Sequence, residues 1–153
     1  MMTVFRRILV GVDGSEDSLV AAERATLLAQ ATRGHITFLF VVTEEFVKRS
    51  TSADPATIVS EAVVEQARTK EQGEEVLSKV REMASRHLGT GQISTKVRSG
   101  DPREEFVKEL QEGGYELCVL GRRGASRSFE TMFGKISEAI FSRTKVPLLI
   151  VRL

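Results

Sequence analysis

The chain has 153 residues, and its 22 Lys and Arg against 21 Asp and Glu give a formal net charge of +1. That length suits one domain with a single sizeable core. The charge balance excludes a dedicated nucleic-acid binder, which carries a large basic excess, and an acidic tail protein. With 41% hydrophobic and 28% charged residues the composition is that of a folded domain and is too apolar for disorder. The single cysteine, Cys118, excludes an internal disulfide and makes a cytoplasmic setting the expectation. One Cys and two His cannot complete a tetrahedral zinc site without carboxylates or a second chain. The first apolar run breaks at Asp13, too early for a signal peptide, and the runs at 38–42 and 146–151 are strand-length, too short to cross a bilayer.

In chain order, short β-rich runs alternate with longer helical ones. Arg7 to Asp13 reads as a strand apolar on both faces. Ser15 to about Arg33 reads as a helix, with Leu19, Ala22, Ala25 and Ala29 at helical spacing and Gly34 closing it. His35 to Thr43 is a second buried strand, its unbroken apolar run suiting a parallel strand covered on both sides. Residues 44–53 carry no period and read as a loop. Asp54-Pro55 starts a helix that runs to about Leu88, with Gly73 placed to kink or split it and Gly89 and Gly91 to end it. Gln92 to Arg98 alternates and is more polar, so it reads as a strand near an edge. Asp101 and Glu104 form a potential capping box for a helix over 102–112, stopped by Gly113-Gly114. Tyr115 to Leu120 is a fourth strand, Gly134 to Arg143 a fourth helix and Val146 to Leu153 the last strand. Five strands joined by helical crossovers, each right-handed, give a parallel sheet covered by helices on both faces. No internal repeat or interdomain linker interrupts residues 1–153, which read as one domain.

In an open parallel sheet, ligands sit at the carboxyl ends of the strands. That rule selects Val12-Asp13-Gly14-Ser15, Val42-Thr43, Ser99-Gly100-Asp101 and the stretch from Gly121 onward. In the last of these, Gly121 and Gly124 allow close backbone approach to a ligand. Gly134, read as the first residue of a helix, would offer unpaired amides to a phosphate. Arg122, Arg123, Arg127 and Lys135 against Glu130 give the loop a local charge of +3, which favours an anion. A turn glycine and solvated arginines would produce the same residues, and Gly-x-x-Gly by itself is weak evidence. Asp13 can either cap the following helix or accept a hydrogen bond from a sugar or base.

Other chemistries fail on spacing. A P-loop ending at Gly134-Lys135 would need glycine where Phe129 stands and Ser or Thr where Ile136 stands. Gly11-Val-Asp13-Gly14 lacks the first Gly-x-Gly of a dinucleotide fingerprint. His35 and His87 fall at the opposite end of the sheet from the selected residues, Cys118 falls mid-strand as a core residue, and Ser15 has no partnered histidine for a hydrolase triad. Asp101 reads as a helix cap.

Gly121-x2-Gly124-x9-Gly134 after an apolar strand, Ile-Leu-Val-Gly-Val-Asp-Gly-Ser near the start and Val-Pro-Leu-Leu-Ile-Val at the end resemble the universal stress protein family, in its ATP-binding branch. The resemblance covers nearly the whole chain and is weakest over 44–70. It implies a Rossmann-like α/β fold with strand order 3-2-1-4-5 and a homodimer built by pairing the last strands, here 146–153. It implies an adenine and ribose pocket at Asp13 and Val41, with Val12 beside them. It implies phosphate contacts from Gly121, Gly124 and Gly134, with Leu120, Lys135, Ile136 and Ser137 alongside. The family follows the third glycine with Ser or Thr, an apolar residue, and Ser or Thr. This chain has Lys135, Ile136 and Ser137, so one hydroxyl is replaced by a positive charge. What the resemblance implies is a cytoplasmic, dimeric, ATP-binding stress-response regulator, with magnesium accompanying the nucleotide and an unknown protein partner. With no general base on the ligand side, any hydrolysis is expected to be slow. The alternatives are a dimeric interaction module that binds no nucleotide and an adenylating enzyme, whose Ser-Gly-Gly-x-Asp-Ser loop is absent. Independently, Leu148 to Val151 form an apolar edge that invites pairing with another chain.

Overall fold

Five apolar runs become five parallel strands in one sheet of order β3-β2-β1-β4-β5. The computed structural model describes the backbone of residues 4–43, 55–122 and 129–152, and side chains within these outside 55–69 and 129–134. The strands are β1 (Arg7–Gly11), β2 (His35–Val42), β3 (Ile93–Ser99), β4 (Leu117–Gly121) and β5 (Leu148–Val151). The helices between them are α1 (Glu16–Thr32), α2 (Pro55–Ser85), α3 (Pro102–Gly113) and α4 (Phe129–Arg143). The expected strand order and helical crossovers are therefore present.

Central strands carry the longest apolar runs because helices cover both faces. Ile8, Leu9 and Val10 of β1 are all fully buried. Their alternation splits the core. Ile8, Val10 and Val12 join Phe38, Phe40 and the alanines of α1 with Leu77 and Val80 of α2. Leu9 and Leu39 join Phe106 and Leu110 of α3, Cys118 and Leu120 of β4, and Ile140 of α4. One face is thus packed by α1 and α2, the other by α3 and α4.

Several boundaries differ from expectation for local reasons. The Ser15 side chain caps α1 by accepting from the Ser18 amide at 3.2 Å. At the other end the left-handed residue is Arg33 (φ 57°), not Gly34. Gly34 is required by contact instead, since a Cβ there would lie 2.5 Å from the Arg6 carbonyl oxygen. Gly73 does not split α2, which is one element to Ser85, with a 3₁₀ turn over Thr90–Gln92 before β3. A Cβ at Gly73 would lie 2.5 Å from the Phe40 ring, so the glycine lets the helix lie close on β2. Asp101 caps α3 through the Arg103 amide at 2.9 Å, but the expected capping box does not close, because the Glu104 carboxylate pairs with Arg143 at 2.6 Å. Strand β5 is shorter than 146–153; its pairing begins where the Pro147 carbonyl accepts the Cys118 amide at 2.9 Å. Proline has no amide to extend the ladder backward. The expected loop 44–53, the Asp54 cap and Leu153 lie outside the described residues.

The largest correction concerns α4. It begins at Phe129, five residues before Gly134. The sequence places apolar residues at 129, 132, 133, 136 and 140, a helical spacing that carries the helix back through the glycine.

Candidate functional site

The carboxyl end of the sheet is built around the exit of β1. The Val12 amide donates to the Leu39 carbonyl at 3.0 Å, holding the chain beside β2 for one residue past the strand. The backbone then turns at Gly14 (φ 86°), a conformation open to glycine. Asp13 Oδ1 accepts the Ser15 amide at 2.9 Å, and the Asp13 amide lies 3.3 Å from Ser18 Oγ as its donor. Of the two roles open to Asp13, the capping role thus belongs to Ser15; Asp13 instead shapes the turn that precedes α1.

The sequence-selected residues divide between the two faces. Val12 belongs to the α1–α2 core. Leu120 lies in the α3–α4 core, with Val41 and Ile136 half-buried against it. Asp13 is half-buried at the crest between them, Lys135 is exposed and Ser137 is half-buried. Val41 and Ile136 thus join Leu120 on one face, and Val12 is not on it. Gly124, Arg123 and Arg127 lie outside the described residues. Gly134 stands in the second turn of α4 rather than at its start, so in this conformation it does not supply the free first-turn amides expected of it.

Gly121 has a packing reason of its own. A Cβ there would lie 2.6 Å from the carbonyl carbon of Asp17 and 2.8 Å from the Ser18 amide nitrogen. The glycine lets the first turn of α1 seat against the end of β4. Beyond it the Arg122 amide donates to the Val151 carbonyl at 2.7 Å, tying the start of the loop to β5.

Two arrangements escaped the sequence reading. The first is an open cleft of about 450 Å³ between the Asp13–Ser15 turn and α2, floored by Phe40 and Val76 and rimmed by Gln72, Glu75 and Lys79. Helix length was the available signal. At 1.5 Å per residue, 31 residues extend about 46 Å, far more than a return alongside an eight-residue strand requires. The second is a charge network on β3 and α3. The Glu109 carboxylate, 1% exposed, accepts from Lys96 Nζ at 3.0 Å, Arg98 Nε at 2.8 Å and the Tyr115 hydroxyl at 2.7 Å. Burial alone would raise the Glu109 carboxyl pKa, but the hydrogen bonds from Tyr115, Lys96 and Arg98 outweigh it and hold the group below its ordinary value. The signal available for this network was Lys96 and Arg98 two residues apart on a strand, which places them on one face.

Of the residues set aside, Ser15 lies in this region as the α1 cap, while Cys118 and His35 stay outside it. Burial pushes the Cys118 thiol up to about 12, so it is a core residue and not a nucleophile. His35, at the start of β2, bonds Ser94 Oγ through Nε2 at 3.0 Å, and burial and the Arg7 charge lower its pKa. Among the described residues, no group of three His, Cys, Asp or Glu could hold a metal ion. Likewise, no described helix is long and apolar enough to cross a membrane.

Residues 5–152 match the model of the universal stress protein family. The chain belongs to the universal stress protein family. Universal stress protein YxiE of Bacillus subtilis is 32% identical over 151 residues, covering 97% of this chain and all of that one. Among solved structures, hypothetical protein MJ0577 superposes with a TM-score of 0.77 at 18% identity, over 98% of this chain and 97% of that one. A universal stress protein in complex with cAMP superposes with a TM-score of 0.64 at 22% identity, over 97% of this chain and 98% of that one. At these identities the structural likeness establishes the family's Rossmann-like fold, and membership of the family supports a role in stress response.

Proposed function

We propose that this universal stress protein binds ATP at the carboxyl end of β1, β2 and β4 and acts as a nucleotide-responsive regulator, not a rapid ATPase. The single observation that carries this reading is the spacing Gly121-x2-Gly124-x9-Gly134, which starts at the last residue of β4 while Asp13 follows β1 by two residues and Val41 is next to last in β2. The adenine and ribose lie against Asp13 and Val41, with Leu120 as apolar support on the same face, while Val12 backs Asp13 from the opposite core. The phosphates lie along Gly121, Gly124, Gly134, Lys135, Ile136 and Ser137. Magnesium would be carried by the phosphates, as suits a cation that keeps few protein ligands. A fold relative that binds cAMP supports an adenine nucleotide as the ligand class.

A homodimer through 146–153 accompanies this reading. Leu149 is 41% exposed on the β5 edge and Phe141 of α4 is 84% exposed, apolar surface that a second copy would cover. A cytoplasmic location fits a chain with one buried, free cysteine.

One observation favours a second reading, a dimeric interaction module without nucleotide. In α4, Gly134 is inside the helix and is followed by Lys135 in place of a hydroxyl residue. Calorimetry with ATP and magnesium, and native mass spectrometry of protein purified without added nucleotide, separate the two. The ATP reading expects binding heat or a retained nucleotide, and loss of both in a Gly124→Phe variant. No heat and no nucleotide would sink it. Unchanged affinity in Gly124→Phe would sink the assigned loop. A large gain of ATP affinity in Lys135→Ser would mean that the natural residue tunes the site down.

A further inference from the structure

Strands β2 and β3 pair in parallel with Val41 directly opposite Arg98. Both side chains face α3. Val41 packs against the core that includes Phe106 and Leu110 of α3, and the Arg98 guanidinium is fastened to that same helix. Arg98 Nε bonds Glu109 at 2.8 Å, Nη2 bonds Glu112 at 3.0 Å and Nη1 lies 3.5 Å from Glu105. Glu105, Glu109 and Glu112 fall at i, i+4 and i+7, one stripe along the helix. A single fork-shaped cation therefore ties three successive turns of α3 to the strand beside Val41. The anchor at its centre is rigid, because Glu109 is buried and also held by Tyr115 and Lys96.

We infer that Arg98 is a positioning residue for the base subsite: by clamping α3 to β3 next to Val41 it fixes the width of the apolar wall against which the base lies. Its own donors are engaged by carboxylates, so it acts through Val41 and α3 and not by touching the ligand. Arg is suited to this and Lys is not, because only a planar fork reaches three acceptors in fixed directions. The inference rests on the nucleotide reading above and adds to it a residue on the edge strand, away from the glycine loop.

The test measures ATP and inorganic tripolyphosphate binding by calorimetry for the full chain and for Arg98→Met, Arg98→Lys, Val41→Ala and the Val41→Ala/Arg98→Met double variant. Far-UV circular dichroism and thermal melts check that each is folded. Arg98→Met is expected to bind ATP about tenfold more weakly, the size of one lost positioning interaction. Tripolyphosphate affinity should stay unchanged, because the phosphate loop is untouched. Arg98→Lys should recover only part of the loss and serves as the readout if the Met variant fails to fold. The two substitutions should be non-additive in the double variant. Unchanged ATP affinity in a folded Arg98→Met protein, an equal fall for ATP and tripolyphosphate, or strict additivity overturns the inference while leaving the nucleotide reading in place. A wild-type chain that binds no ATP overturns the nucleotide reading and this inference with it.

Discussion

The two edges of the sheet are built on opposite plans. On β3, Lys96 and Arg98 are tied down to α3 by Glu109, so the strand carries charge along its rim and its apolar positions are few. On β5, four apolar residues run without a charge, and Leu149 is exposed, as is Phe141 of α4. Charge on an edge strand discourages another chain from adding to it, whereas an apolar edge invites that addition. The difference shows that this sheet is closed on one side and open on the other, and that the closed side spends its charges internally. Arg98 of that charged edge stands opposite Val41, so under the proposed reading the charged edge supports the nucleotide end and the apolar edge is the one offered to a second copy.

The two edges differ most in their dependence on Glu109. Glu109→Ala removes the acceptor of Lys96, Arg98 and the Tyr115 hydroxyl and should lower unfolding stability by about 3 kcal/mol, as expected when one member of a buried network is deleted. Chemical denaturation measures it; a loss near zero would mean that the closed edge is held by apolar contacts alone. At the open edge, Leu149→Lys should weaken self-association at least about tenfold, roughly 1.4 kcal/mol, in sedimentation experiments. Val97→Lys on β3 should leave the association state as it was. The reverse pattern would exchange the roles of the two edges. The smallest effect is in acid. Because the folded Glu109 carboxyl titrates below its ordinary value of 4.5, its contribution is present above that value and is lost as the pH falls through the depressed one. Thermal melts of the wild type should therefore drop more steeply below about pH 4.3 than those of Glu109→Gln, which has no carboxyl to protonate at that site. Parallel curves would assign acid sensitivity to other groups.

How much of this was legible differs by element. The strands of the core were readable because unbroken runs such as Ile8-Leu-Val and Phe38-Leu-Phe can be buried on both faces only by a parallel sheet with two helical layers. Boundaries that depend on contacts far along the chain were not. Gly34 reads as a helix stop, yet it is required by the Arg6 backbone, and Gly73 reads as a breaker, yet it makes room for the Phe40 ring. Gly134 reads as the first residue of α4, yet the apolar spacing on either side of it carries the helix back to Phe129. Among the expected ligand contacts, Asp13 is named by its position just after a strand, and Val41 and Leu120 are named by the family resemblance. Arg98 and Glu109 are named by neither, because pairing a strand residue with a helix residue eleven positions later depends on the handedness and packing of the crossover.

The contact at Gly121 alters what that residue reports. The first glycine of the spaced triplet leaves room for the backbone of Asp17 and Ser18, whether or not anything is bound beyond it. A relative of this protein that binds no nucleotide would still retain that glycine, since an alanine there would push α1 off the sheet. Its persistence is a record of how the first helix docks, and the positions that would drift first after loss of a ligand are those past the strand, such as Lys135.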